Sequence, residues 1–420
     1  MKAVSIDSHR HLAGTPKPGI FDGFARRIVR RHLEKLRHGR VTLRDGDEEW
    51  HFGENAPVGL YATITVNDAR FYGDIAFGGS IGAGEAWMQG SWDCDDLVSL
   101  VRILVRNRDV LDGMEGGFAA ITQPLQKLFH AINRNTRRGA QRNIAAHYDL
   151  GNEFFALWLD ERMMYSSAIF PRPDMSLAEA QAVRLEAVCE KLELGPEDHL
   201  VEIGTGWGGM AIYAAETRGC RVTTTTISRR QHEEAVRRVA AAGLADRVTV
   251  LLDDYRDLEG TYDKLVSLEM IEAIGADQYP TYFAKCASLL RPGGKLLIQA
   301  ITIEDDRYAQ ARDDVDFIKR YIFPGSCLPS EQVMRETIAA HTDLEVTAMD
   351  DIGLDYATTL NHWRRNFFER IDEVRALGYP EAFLRMWEFY LCYCEGGFLE
   401  RSISDVHLVA ERPAGAAAPT

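Results

Sequence analysis

The sequence has no apolar run close to the ~20 residues that a membrane-spanning helix needs, and its first residues contain no apolar segment of a secretory signal. Its seven cysteines are scattered, with neither a C-x-x-C redox pair nor a zinc-binding spacing. Its 12 histidines form no H-x-x-x-H or H-E-x-x-H pattern, so we predict no metal site. These absences favour a cytoplasmic protein with reduced thiols.

The chain is acidic overall, but two of its segments are strongly basic. The net charge of −15 argues against general nucleic-acid binding. Residues 24–40, FARRIVRRHLEKLRHGR, place seven Lys and Arg residues between apolar residues at helical spacing, which predicts a basic amphipathic helix. A second basic stretch, NRNTRRGAQR, covers 133–142. Each alone is typical of a solvated helix face, but together they indicate contact with an anionic membrane surface.

The pattern of apolar residues changes near residue 146. After it, β-branched apolar runs alternate with helical segments, which predicts an α/β fold with a mostly parallel, doubly wound sheet. Before it, a basic helix and short strand candidates such as RVTLRD (40–45) and GLYATITV (59–66) predict a small mixed α+β domain. We expect a flexible N-terminus over 1–20, this small domain over 21–118, a basic helical connector over 119–145, a catalytic domain over 146–412 and a disordered tail over 413–420.

A glycine-rich turn, VEIGTGWGG (201–209), follows the first strand of the predicted sheet and fits G-x-G-x-x-G. A dinucleotide site also expects an acid ~20 residues on, at the end of the second strand, to bind the ribose. That strand, RVTTTTISRRQ (221–231), contains none. Glu202 instead gives E-x-G-x-G, which resembles motif I of S-adenosylmethionine-dependent methyltransferases. The Pro-Gly-Gly turn in LLRPGGKLLIQA (289–300) also resembles class I methyltransferases.

Four longer segments resemble one methyltransferase family, the cyclopropane fatty acid synthases and their mycolic-acid relatives. They are GEAWMQGSWDCDDL (84–97), AAHYDLGNEFFALWLDERMMYSSAIF (145–170), KRYIFPGSCLPS (319–330) and FYLCYCEGGF (389–398). The resemblance implies transfer of a methyl group from S-adenosylmethionine to the double bond of an unsaturated acyl chain in a membrane phospholipid. It also implies that residues 21–118 bind lipid, and that a homodimer works at the inner face of the membrane.

The same resemblance assigns residues to both ligands. It implies that S-adenosylmethionine contacts Tyr165, Ser166, Gly204, Gly206, Thr226, Ile227, Gln231, Asp254 and Tyr255. It further implies a bicarbonate ion that removes a proton from the methylated chain. Two of its ligands match Glu272 and Tyr356, and the other two positions hold Ser167 and Gln299, where the family usually has cysteine and histidine.

Ser167 and Gln299 can both hydrogen-bond an anion, but neither can carry positive charge. Ring closure is therefore less firmly predicted than methyl transfer. The first expectation is a cyclopropane ring, and the alternative is a methyl- or methylene-branched chain. Two other classes stay open: a methyltransferase for a soluble small molecule, and a non-catalytic lipid-binding protein with a vestigial cofactor fold.

Overall fold

The structure, a computed structural model, describes residues 20–54, 59–110 and 150–415. The predicted connector over 119–145 and the second basic stretch lie outside the described residues. So do residues 1–19 of the predicted flexible N-terminus and residues 416–420 of the predicted tail.

The N-terminal elements form a four-stranded sheet with three helices. They are α1 (Ile20–Leu33), β1 (Arg40–Asp45), β2 (Glu48–Gly53), β3 (Tyr61–Val66), α2 (Arg70–Met88), β4 (Trp92–Cys94) and α3 (Leu97–Arg106). The strand order is β2-β1-β3-β4. Strand β1 pairs parallel with β3, whereas the β1–β2 and β3–β4 pairs are antiparallel. The predicted basic helix is α1, but it ends at Leu33 and not at residue 40, because Gly39 has a φ of 91° and Arg40 already belongs to a strand. The strand predicted over 40–45 is β1.

A seven-stranded sheet follows, in the order β10-β11-β9-β8-β5-β6-β7. Its strands are β5 (His199–Ile203), β6 (Arg221–Thr225), β7 (Val248–Leu251), β8 (Tyr262–Leu268), β9 (Leu290–Ile303), β10 (Glu345–Asp351) and β11 (Ile403–Glu411). The five strands from β5 to β9 are parallel, and β11 is antiparallel to both of its neighbours. This confirms the predicted mostly parallel sheet. The expected Pro-Gly-Gly turn lies within β9, where the register against β8 shifts.

Ten helices accompany this sheet in the described residues. They are α4 (Asn152–Ala156), α5 (Leu177–Lys191), α6 (Gly209–Arg218), α7 (Arg229–Ala241), α8 (Tyr279–Leu289), α9 (Tyr308–Asp313), α10 (Glu331–His341), α11 (Gly353–Glu369), α12 (Ile371–Ala376) and α13 (Glu381–Leu399). Helix α5 starts with a capping box in which Ser176 and Glu179 satisfy each other's backbone N–H groups.

Helix α13 joins the two parts of the molecule. It packs against α2 and α3 on the N-terminal side and against α11 on the other. The Arg385 guanidinium donates to the Trp92 carbonyl at 2.8 Å and lies 4.2 Å from the ring centre of Trp87. Arg102 and Arg106 of α3 both pair with Glu400, just after α13. One apolar core therefore runs from the small sheet to α11 and α13, and N-terminal helices lie beside the large sheet.

Candidate active site

One cavity of about 600 Å³ runs from the carboxyl ends of β5 and β8 to the N-terminal elements. Parallel sheets of this type bind ligands in the crevice outside the carboxyl ends of their strands. The volume lies within the range of about 300–1,000 Å³ that is usual for small-molecule sites. The cavity has a polar end at the glycine turn and an apolar arm that reaches the small sheet. All nine residues predicted to contact S-adenosylmethionine line it.

The glycine turn has a backbone that requires glycine and is held in place from β6. Gly204 and Gly206 have φ angles of 103° and 52°, in the region that side chains disfavour. The Thr224 hydroxyl donates to Glu202 Oε2 at 2.6 Å and lies 2.7 Å from the hydroxyl of Thr205 in the turn. Burial raises the pKa of Glu202 to about 8. Glu202 therefore helps to hold the glycine turn in place through the Thr224 hydroxyl, which contacts both Glu202 and Thr205.

The polar end fits a nucleoside ligand in two further respects. A Cβ added at Gly206 would have no described heavy atom within 4 Å, so it would take up cavity space instead of packing against protein. The hydroxyl of Tyr255 is buried and has no hydrogen-bond partner among the described residues, which leaves a polar atom available to a ligand. Gln231 accepts from the Thr226 hydroxyl at 2.9 Å. Asp254 accepts two hydrogen bonds from the Arg256 guanidinium and a third from the Arg256 backbone N–H.

Where β8 ends, the chain presents a half-buried carboxylate to which no sequence motif pointed. Glu269 lines the cavity and has a φ of 50°. Its Oε1 accepts from the Ser167 backbone N–H and from Gln299 Nε2, both at 2.7 Å. Its Oε2 accepts from the Tyr356 hydroxyl at 2.6 Å. Three of the four residues predicted to bind bicarbonate therefore bind this side chain instead.

The Gln299 amide is oriented by a chain of hydrogen bonds that leads to the surface. Lys191 Nζ can only donate, so His407 accepts at Nδ1, 2.9 Å away. The Nε2–H of His407 then donates to Gln299 Oε1 at 3.2 Å. This leaves the Gln299 NH₂ group to donate to Glu269 and to Asp405 Oδ2, the latter at 2.8 Å. Burial lowers the pKa of His407 well below its usual value, so the ring is neutral.

Glu272, the fourth predicted ligand of bicarbonate, lies in a short 3₁₀ turn at Ile271–Ala273. Its Oε1 accepts from the Ile301 N–H at 2.5 Å, whereas its Oε2 is buried and has no partner in the described part of the chain. Burial first, and the charge of Glu269 second, raise its pKa to about 8. Glu272 and Tyr356 line the cavity. Ser167 and Gln299 are fully buried behind it.

Aromatic side chains of α13 form the wall next to this polar cluster. The Tyr390 hydroxyl lies 2.9 Å from that of Tyr165, and the Phe398 ring stacks on that of Tyr356 with 4.5 Å between centres. Beyond them the lining is mostly apolar, and from the N-terminal elements it includes Leu33, Ile64, Phe71, Ile75, Ala83, Leu100 and Leu104. Charged residues also line the cavity, and they include Arg108, Glu304, Arg307, Asp314, Asp316 and Lys319. Gly79, with a φ of 57°, interrupts α2 at this wall.

No helix in the described ranges is long and apolar enough to cross a membrane. In those same ranges no group of three or more His, Cys, Asp or Glu side chains could hold a metal ion.

Comparisons with known proteins agree with the sequence motifs. The family model described as mycolic acid cyclopropane synthetase matches residues 135–408. Tuberculostearic acid methyltransferase UfaA1 of Mycobacterium tuberculosis is 41% identical over 328 residues, which cover 76% of this chain and 76% of that protein. The cyclopropane-fatty-acyl-phospholipid synthase of Escherichia coli is 35% identical over 356 residues, covering 84% and 88%.

The fold is also that of solved methyltransferase structures. The mycolic acid cyclopropane synthase CmaA1, complexed with SAH and CTAB, superposes with a TM-score of 0.61 at 29% identity. The match covers 64% of this chain and 98% of that one. The predicted class I methyltransferase fold is therefore confirmed.

Proposed function

The chain belongs to the mycolic acid cyclopropane synthetase family and is an S-adenosylmethionine-dependent methyltransferase, and from this premise we propose that it methylates the double bond of an unsaturated acyl chain in a membrane phospholipid. The observation that carries the proposal is the single cavity that joins the glycine turn to an apolar arm. A water-soluble substrate would not need that arm. A hydrocarbon tail would fill it and leave its double bond near Glu269 and Tyr390.

The site suits chemistry in which positive charge develops on an apolar chain. When bound at the glycine turn, S-adenosylmethionine supplies an electrophilic methyl group that an alkene can attack, which leaves a carbocation on the lipid. The faces of Tyr165, Tyr390 and Phe398 stabilise a cation without trapping it covalently. The apolar lining excludes water, which would otherwise capture the cation. Glu269 offers a carboxylate at the same wall to remove the proton.

Two products are possible from that cation, and the relatives include proteins named for each kind of product. Loss of a proton from the new methyl group to close a cyclopropane ring is the first candidate, and a relative named as a cyclopropane synthase is 35% identical. A methyl- or methylene-branched chain is the second. It is favoured by the 41% identity to a relative named as a tuberculostearic acid methyltransferase, together with the uncharged Ser167 and Gln299.

The surface of α1 supports work at an anionic membrane on its cytoplasmic face. Part of its basic face is used within the protein, because Arg26 pairs with Glu48 at 2.5 Å and lies with Arg30 over the Trp50 ring. Other cations remain exposed, and they are Arg27 and Arg31 on α1 and Lys35 and Arg37 just after it. Phe24, which is 47% exposed, adds an apolar group beside them. Such a surface binds anionic lipid peripherally. The homodimer implied by the family resemblance is part of the same proposal, and light scattering would test it.

Incubation with methyl-labelled S-adenosylmethionine and phospholipid vesicles tests the function. We expect label in vesicles whose acyl chains are monounsaturated and none in matched saturated vesicles. A lipid fraction without label would contradict the proposal, and label in a water-soluble acceptor would support the small-molecule alternative. A cyclopropane and a methylene branch are isomers with the same mass, so proton NMR must separate them, by upfield ring signals against olefinic ones.

A further inference from the structure

The anion site implied by the family resemblance is already filled by a side chain of this protein. The Ser167 N–H, the Gln299 amide and the Tyr356 hydroxyl all donate to the Glu269 carboxylate. Bicarbonate and a carboxylate present the same planar pair of oxygen acceptors, so donors arranged for one suit the other. Both cannot occupy the same donors, and two anions side by side in a buried site repel each other strongly.

We propose that Glu269 replaces the bicarbonate ion as the base that takes the proton from the methylated lipid, so that the enzyme works without bicarbonate. The inference rests on the proposed function, since it names the base for that reaction. Glu269 touches the cavity, whereas Ser167 and Gln299 are positioning residues that act through it.

The hydrogen bonds and the positive charge around Glu269 favour its ionised form more than that of its neighbour Asp405. Burial first, and the charge of Glu269 second, raise the pKa of Asp405 well above its usual value, so Asp405 holds a proton. Burial also raises the pKa of Glu269, but to about 7, because the Tyr356 hydroxyl, the Ser167 N–H and the positive charge of Arg184 oppose the rise. Arg184 is fully buried. Of these two acids Glu269 therefore ionises more readily, and a carboxylate with a pKa close to neutral pH suits a general base.

The side chain is also held where it is. Its backbone is in the left-handed region, with a φ of 50°, which non-glycine residues adopt only when their surroundings fix them. The backbone N–H of Glu269 donates to the Gln299 carbonyl at 2.8 Å. The chain from Lys191 through His407 then permits Gln299 to present only donors to the carboxylate. The base is thus aligned before any lipid binds.

The proton-transfer step balances without any other reactant. One C–H bond of the new methyl group breaks, and its proton bonds to a Glu269 oxygen. The electron pair of that bond closes the ring if the cation lies on the neighbouring chain carbon. It forms a methylene double bond if a hydride has first shifted, so that the cation lies on the carbon that bears the methyl. In both cases Glu269 becomes neutral and returns its proton to water after product release.

The test compares variants in buffer freed of carbon dioxide, with and without added bicarbonate. The variants are Glu269→Gln, Glu269→Ala and the matched control Glu259→Gln, an exposed residue just before the opposite end of β8. Turnover on monounsaturated phospholipid vesicles is measured together with S-adenosylhomocysteine binding by calorimetry. Binding of ¹³C-bicarbonate to each protein is measured by NMR without any methyl donor.

We expect the wild type and Glu259→Gln to turn over equally well with and without bicarbonate, and to bind none. Glu269→Gln should lose about 10²–10⁴-fold in turnover, the usual contribution of a general base, while it retains S-adenosylhomocysteine binding. Glu269→Ala should bind bicarbonate in the vacated site and regain about tenfold or more of its lost activity when the ion is added.

A wild type that binds bicarbonate and depends on it would overturn the inference alone, and so would full turnover of Glu269→Gln. A wild type that labels no lipid in either buffer would instead overturn the proposed function and this inference with it. Loss of S-adenosylhomocysteine binding in both Glu269 variants would show that the side chain acts in folding or cofactor binding, which also contradicts the role of a base.

Discussion

Replacing Gly206 by alanine separates two effects that a glycine in a ligand-binding turn combines. The first is backbone strain, because a residue with a Cβ at a φ of 52° loses about 1 kcal/mol relative to glycine. The second is lost space, because the new methyl group would stand in the cavity with no described protein atom within 4 Å. Gly243 offers a matched control, since it has a φ of 71° and equally open surroundings but does not line the cavity.

We therefore expect Gly206→Ala and Gly243→Ala to lower the free energy of unfolding by the same amount, about 1 kcal/mol, in urea denaturation. Only Gly206→Ala should weaken S-adenosylhomocysteine binding, by about tenfold or more, which corresponds to about 1.4 kcal/mol. Isothermal titration calorimetry measures that loss. Equal affinity in the two variants would refute the placement of the ligand at this turn, even if both lost the expected stability.

Three other changes test the apolar arm, the base and the core. Ala83→Phe narrows the apolar arm, so lipid methylation should fall about tenfold or more while calorimetry shows unchanged S-adenosylhomocysteine affinity. A loss of that affinity would contradict the assignment of Ala83 to the acyl-chain arm. Turnover should rise as pH increases through about 7, because burial raises the pKa of Glu269 to that value and only its ionised form removes a proton; a flat pH profile would contradict this role. Glu395→Ala should lower the free energy of unfolding by about 3 kcal/mol, because it leaves the half-buried Arg364 without its carboxylate partner. The Arg364→Met/Glu395→Leu double variant should recover most of that loss, and urea denaturation measures both variants.

The strands could be predicted from sequence more readily than α2. Runs rich in β-branched residues, such as 40–45 and 221–225, are strands in the structure because such side chains pack well on a pleated surface. Helix α2 escaped notice because it contains five glycines, each unfavourable by about 1 kcal/mol in a helix. Packing explains two of them: a Cβ at Gly84 would lie 2.3 Å from the Phe317 ring, and one at Gly82 would lie 1.9 Å from the Asp74 carbonyl oxygen. Gly79 has the positive φ of 57° that interrupts the helix, and Gly73 and Gly78 have open surroundings.

The predicted cofactor residues and the proton-transfer residues differ in how visible they are in sequence. The cofactor residues follow strand ends, where local patterns already place them at one edge of the sheet. Glu269 follows a strand end too, but its role depends on partners 102 and 30 positions away, at Ser167 and Gln299. The family resemblance implies no ligand at this position. The contacts of Ser167 and Gln299 with Glu269 become visible only in the folded structure.

Those contacts explain why residue 299 is an uncharged glutamine. Ser167 contacts Glu269 through its backbone N–H, which a cysteine would supply equally well, so nothing in these contacts explains its side chain. With a bicarbonate ligand set, a histidine at the position of Gln299 could share positive charge with the incoming anion. Next to a fixed carboxylate, the same cation would form an ion pair and lower the pKa of Glu269, which would make it a weaker base. A neutral amide held by His407 keeps the hydrogen bond and avoids that loss. The departure from the usual histidine at position 299 is therefore consistent with a base built into the protein.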